Sequence, residues 1–96
     1  MVNYKTLTQE ELTKKAELLK VLGHPERLAI AILTINREMC VKELVETLGI
    51  SQPKVSQHVG IMKELNILHS RKEGTKVLYK VKEQLVKEII SLLFKN

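Results

Sequence analysis

With a single cysteine, Cys40, the sequence cannot form an internal disulfide, and a lone thiol fits a reducing compartment. No run approaches the roughly 20 apolar residues that a membrane helix needs, and no charged leader followed by an apolar stretch opens the sequence. These absences predict a cytoplasmic protein with no membrane association. Paired carboxylates, a nucleophile with an evident histidine partner and a glycine-rich phosphate loop are also missing, so neither catalysis nor a bound cofactor is expected. Repeats, low-complexity tracts and linkers do not interrupt the 96 residues, which predicts one domain over 1–96.

What the sequence does contain is a core-forming composition and an uneven charge. Hydrophobic residues make up 44% and charged residues 28%, values of a folded chain rather than a disordered one. A single chain of this size buries a modest fraction of its surface, so oligomerisation would help it. The net charge of +5 is localised. Acidic and basic side chains cancel over residues 1–50 and again over 83–96. The excess lies in 51–82, where Lys54, Lys63, Arg71, Lys72, Lys76, Lys80 and Lys82 face only Glu64 and Glu73. A cationic segment of this kind reads as a polyanion-binding surface, with a merely solvated face as the alternative.

Periodicity supplies the elements. Thr8 is an N-cap candidate with Glu11 three residues on, and Leu12, Ala16 and Leu19, widened by Leu18 and Leu22, form the apolar stripe of a first helix that stops at Gly23. Pro25 restarts the chain as a first-turn proline. Over 25–36 the apolar residues run almost all round, which predicts the buried central helix. Met39, Cys40 and Val41 read as a stub of strand. A third helix over 41–48 ends at Gly49, and Ser51 caps a fourth over 52–65 whose apolar side is Val55, Val59, Met62 and Leu65. After Asn66 the pattern alternates, so two strands over 67–72 and 75–81 form a hairpin with its tip at Gly74. The last helix, over 82–94, has an apolar arc too wide for one contact: one side can rest on the domain while the other meets a second chain. The predicted fold class is mainly α with a small β-hairpin, a winged helix-turn-helix of five helices and a two-stranded wing.

Two short helices joined by a tight turn, the second with a polar outer face, form the pattern that enters a DNA major groove. Gln52, Ser56 and Gln57 carry the amide and hydroxyl groups that read base edges, and Lys54 can reach a base or a phosphate. Ser51 stands at the same end. Lys63 reads as a phosphate contact, as do Arg71, Lys72 and Lys76 around the hairpin tip. Charged residues there also protect strand edges from aggregation. His58 is expected to make a structural or phosphate hydrogen bond. His24, His58 and His69 are scattered, without the pair spacing of a metal site.

The run Glu38, Met39, Cys40, Val41, Lys42, Glu43, Leu44, followed by Leu48, Gly49, Ile50, Ser51, Gln52, Pro53, Lys54, Val55, Ser56, Gln57, His58 and Val59, resembles the core of the ArsR/SmtB family of bacterial winged-helix repressors. Leu22, Gly23, His24, Pro25, Glu26, Arg27 and Leu28 before it, and the wing over 71–79 after it, extend the likeness to nearly the whole chain. The resemblance implies a homodimer made by the first and last helices. It implies that this dimer binds double-stranded DNA at an operator with an imperfect inverted repeat and blocks transcription until an inducer weakens the complex.

Two departures bear on what is sensed. Members that detect soft metals commonly carry a Cys-Val-Cys box on the third helix; Cys40 matches its first cysteine, but Lys42 occupies the second, and one thiolate cannot make a multi-sulfur site. Another arrangement uses carboxylates and histidines of the last helix to bind zinc, yet 82–96 has no histidine, and Glu83 and Glu88 alone are poor ligands. No metal site is therefore expected by either arrangement. Two alternatives stay open: a winged-helix protein-interaction module that meets an acidic partner, and a redox-responsive repressor in which Lys42 stabilises a Cys40 thiolate, against an inert, buried thiol.

Overall fold

Thr8 Oγ1 accepts from the Glu11 amide at 3.0 Å and starts α1, Gln9–Leu22. In the computed structural model, which describes residues 1–95, a short 3-10 turn at Tyr4–Thr6 precedes it, an element that periodicity did not predict. His24 then takes the N-cap of α2, Pro25–Asn36, its Nδ1 accepting from the Glu26 amide at 3.1 Å, while Pro25 supplies a first-turn residue that needs no partner for its nitrogen. The elements α3, Val41–Leu48, and α4, Gln52–Glu64, follow. The strands β1, Leu68–Glu73, and β2, Lys76–Val81, come next, and α5, Gln84–Leu93, ends the order.

The sheet is a two-stranded antiparallel ribbon in a register that pairs Leu68 with Val81 and Glu73 with Lys76. Gly74, at φ 64°, sits first in the two-residue loop, where glycine adopts a positive φ without a steric cost. The expected strand stub shrinks to one residue. Met39 pairs with Tyr79 through two backbone bonds, of 3.1 and 2.9 Å. Cys40 is already the N-cap of α3, because Glu43 reaches back to bond the Cys40 amide at 3.1 Å.

All the buried apolar side chains form one cluster. Ile30 and Ala31 of α2 lie at its centre, with Leu44 from α3, Val55, Val59 and Met62 from α4, and Ile67, Leu68 and Val81 from the ribbon. As expected, α2 is the central helix, touching α1, α3, α4 and β2. Its Thr34 is buried with its hydroxyl satisfied, since Oγ1 donates to the Ile30 carbonyl at 2.7 Å.

Both ends of the chain behave differently. Within α1 only Val21 and Leu22 are buried, and Leu12 and Leu19 of the predicted stripe face solvent. In α5, Val86 and Ile90 enter the core while Leu85, Leu92, Leu93 and, at its C-cap, Phe94 stay exposed. The amphipathic pattern of these helices is thus satisfied on one side only.

Candidate nucleic-acid interface

Three residues, 49–51, separate α3 from α4. Gly49 closes α3 at φ 68°, its amide donating to the Val45 carbonyl at 2.9 Å. A β-carbon at Gly49 would meet nothing within 4 Å, so the site asks for a left-handed backbone rather than for space. Ser51 Oγ then accepts from the Lys54 amide at 3.3 Å and starts α4. Val55, His58, Val59 and Met62 are its buried residues, spaced i, i+3, i+4 and i+7, so one whole side of the helix points inward.

The opposite side carries most of the expected contact residues. Ser51, Gln52, Lys54, Ser56, Gln57 and Lys63 are all exposed. Gln52 and Ser56, four residues apart, share one flank, and Gln57 lies towards the outermost line with Gly60 and Glu64. Lys54 lies on the other flank, its Nζ 3.6 Å from Glu26 Oε2. Lys63 stands next to the exposed Glu64, so the cationic character of α4 is concentrated at its N-terminal end. A helix whose first turns offer amides, a hydroxyl and a lysine presents the group types that base edges and phosphates accept.

Two of the expected contact residues are held by carboxylates of other elements. His58 is only 6% exposed. Its Nε2–H donates to Glu26 Oε1 at 2.8 Å, a bond between α4 and the first turn of α2, which is the structural one of its two expected roles. That bond, with Lys54 nearby, holds the Glu26 carboxyl below the usual carboxylate range. The inward position was legible: His58 falls three residues after Val55 and four before Met62, on the apolar stripe. Arg71, half-exposed, is clamped by a bidentate pair to Glu38, with Nε and Nη2 bonds of 2.6 and 2.7 Å, and by Glu73 at 2.9 Å. Two carboxylates offset its charge, so it ties the wing to the segment before α3 instead of projecting from the tip.

The remaining wing cations, Lys72 and Lys76, are exposed and lie on opposite faces of the ribbon, because Lys72 pairs with Val77 and Glu73 with Lys76. Neither has a carboxylate within salt-bridge distance among the described residues. The ribbon packs on α4 through β1, which sets the wing beside the helix.

Glu26 and Glu38 were missed as site residues. Each acts across a separation of more than 30 positions, on His58 and Arg71 respectively, and sequence spacing carries no trace of that. The same packing brings two histidines together that looked scattered: the rings of His24 and His58 lie 4.7 Å apart at 56°. Their nearness to Glu26 makes these three a group able to hold a metal ion. Cys40 is half-buried at the N-cap of α3, in a shallow depression shared with Lys42, Lys76 and Tyr79.

Comparison with known proteins gives a consistent picture. Residues 24–70 match the family described as bacterial regulatory protein, arsR family. The chain is similar to the uncharacterized HTH-type transcriptional regulator MJ1325 of Methanocaldococcus jannaschii, with 41% identity over 85 residues that cover 88% of this chain and 96% of that one. It is 32% identical to the biofilm growth-associated repressor of Xylella fastidiosa over 92% of this chain and 81% of that protein. Among solved structures, HlyU from Vibrio cholerae N16961 superposes with a TM-score of 0.82 at 31% identity, covering 90% of this chain and 94% of its own.

Proposed function

The chain belongs to the arsR family of bacterial regulatory proteins, and from that premise we propose that it is a homodimeric transcriptional repressor that binds double-stranded DNA. The observation that carries this reading is the outward side of α4, where Gln52, Ser56 and Gln57 stand exposed opposite a fully buried apolar stripe. In the complex α4 enters the major groove by its N-terminal end. Gln52, Ser56 and Gln57 read base edges there, and Ser51 and Lys54 serve a base or the nearest phosphate. Lys63, Lys72 and Lys76 hold phosphates and set the register of the protein on the duplex. Arg71 and His58 support the wing and the helix from within.

Dimerisation through α1 and α5 presents two such helices, so the target is an imperfect inverted repeat with half-sites about one helical turn, or a multiple of it, apart. Among the described residues no helix is long and apolar enough to cross a membrane, and a DNA target places the protein in the cytoplasm. Nothing in this mechanism requires catalysis.

The test is selection of bound sequences from a random DNA pool, followed by gel shift of the enriched sequence over a range of salt concentrations. A palindrome-like consensus is expected, with affinity falling linearly in log–log terms as salt rises, since each neutralised phosphate releases counterions. Failure to enrich any sequence over random DNA at moderate salt would overturn the reading and point to a protein partner for the same cationic surface.

A further inference from the structure

His24 and Glu26 occupy the cap and first turn of α2, and α4 packs across that turn so that His58 meets both. One ligand atom from each of the three residues lies within 4.8 Å of the other two, and among the described residues no other group of histidine, cysteine and carboxylate side chains does the same. The pieces differ in access. His58 is buried, and its Nδ1 has no hydrogen-bond partner although it is shielded from solvent. His24 and Glu26 are only half-buried, so an ion can approach from their side. Two imidazoles and one carboxylate make up a donor set found at open zinc sites, with water in the fourth position, and imidazole also suits nickel and copper.

We infer that His24, Glu26 and His58 bind a divalent transition-metal ion of the zinc type, at the junction of α2 with the recognition helix. Tetrahedral coordination at zinc distances of about 2.1 Å sets neighbouring ligand atoms about 3.4 Å apart. His58 Nε2 and Glu26 Oε1 already approach at 2.8 Å; the ion takes the place of the Nε2 proton between them, and the neutral ring then carries its proton on the unpartnered Nδ1. His24 is the ligand that closes on the ion, by turning its ring and giving up the cap bond to the Glu26 amide. Engagement of the Glu26 carboxylate by the ion also releases Lys54, now 3.6 Å from it. If the DNA-binding reading holds, that couples metal occupancy to a lysine at the DNA-facing end of α4. The site itself does not depend on that reading.

Titration of the tag-free protein with Co²⁺ in the absence of DNA, followed by visible absorption, tests it. Expected are the ligand-field bands of a tetrahedral site, saturation at one ion per chain and displacement by Zn²⁺. The bands should be lost in His24→Ala and Glu26→Gln and kept in His69→Ala and Cys40→Ser. Both disruptive changes fall on half-buried side chains, and circular dichroism of each variant confirms folding even if His58→Ala does not fold. Zn²⁺ should also raise the thermal midpoint of the parent protein and leave His24→Ala unmoved, since a ligand that binds only the folded state stabilises it. Absence of binding, unchanged binding in His24→Ala and Glu26→Gln, or loss of the bands with Cys40 or His69 overturns the site. A protein that selects a DNA consensus yet binds no cobalt loses this inference alone.

Discussion

Gln57 projects from the second turn of α4 on the side away from Val55, Val59 and Met62, and it is exposed. No core packing depends on it, so replacement by alanine tests recognition without testing the fold. A good bidentate contact between an amide and a base edge is worth about 1–3 kcal/mol of discrimination. Gln57→Ala is therefore expected to weaken operator binding by roughly that amount and to leave binding to random DNA nearly unchanged. Competition gel shifts measure both, and an equal loss on the two DNAs would assign Gln57 to the backbone. Lys76→Ala should do the reverse: affinity falls on every sequence, and the salt dependence loses about one unit of slope. Arg71 does not belong in that comparison, because two carboxylates already hold its guanidinium.

The tight junction between α3 and α4 rests on Gly49. At φ 68°, with open space where a β-carbon would go, Gly49→Ala introduces backbone strain and no collision. The left-handed conformation costs an L-residue roughly 1–2 kcal/mol, so chemical denaturation should show a loss of about that size, with Gly49→Asn milder because asparagine tolerates the region better. An unaltered midpoint would mean that the turn relaxes. At the other end of α3, Arg37 beside Glu43, together with the Cys40 amide, depresses the Glu43 carboxyl from 4.5 to about 2. The folded state thus prefers the ionised form. Its contribution to stability is complete above about pH 4.5, declines as pH falls through that range and is gone below about 2. The stability gap between the parent and Glu43→Gln should be constant near neutrality and close between those limits. It should be small, since Arg37 is well exposed and screened by water. Melting curves from pH 7 to pH 2 would follow it, and a gap that widens in acid would contradict the assignment.

These elements were largely legible in the sequence because local chemistry sets them: the Thr8 and Ser51 caps, the stop of α3 at Gly49, the change of period after Asn66 and the hairpin tip at Gly74 appear where expected. The start of the last helix moved from 82 to Gln84, since Glu83 sits at its N-cap with an extended backbone. What local chemistry does not encode is which distant charges meet. Glu26 with His58, and Glu38 with Arg71, are products of packing, and they give His58 and Arg71 carboxylate partners within the chain while adding a candidate metal group.

At the scale of the whole molecule, the chain is longer than its core requires. Its radius of gyration is 14.5 Å and its extents are 47 × 31 × 22 Å, whereas a compact chain of this length is expected near 12–13 Å. The excess fits helices α1 and α5, which lay part of their apolar surface open: Leu12, Leu19, Leu85, Leu92, Leu93 and Phe94 are all at least 40% exposed. Burying a leucine fully is worth about 1.5–3 kcal/mol, and in a symmetric dimer each position counts twice. Leu92 is 71% exposed, so covering it in both chains supplies roughly 2–4 kcal/mol. Leu92→Glu removes that gain and adds a charge that an apolar interface cannot solvate. It should raise the dimer dissociation constant by at least about 30-fold, while circular dichroism stays that of the parent because the residue supports no intrachain core. Sedimentation velocity would show the shift to monomer, and operator affinity should fall with it, since a lone chain engages one half-site. Unchanged sedimentation would move the interface away from α5 and leave its apolar side in need of another partner.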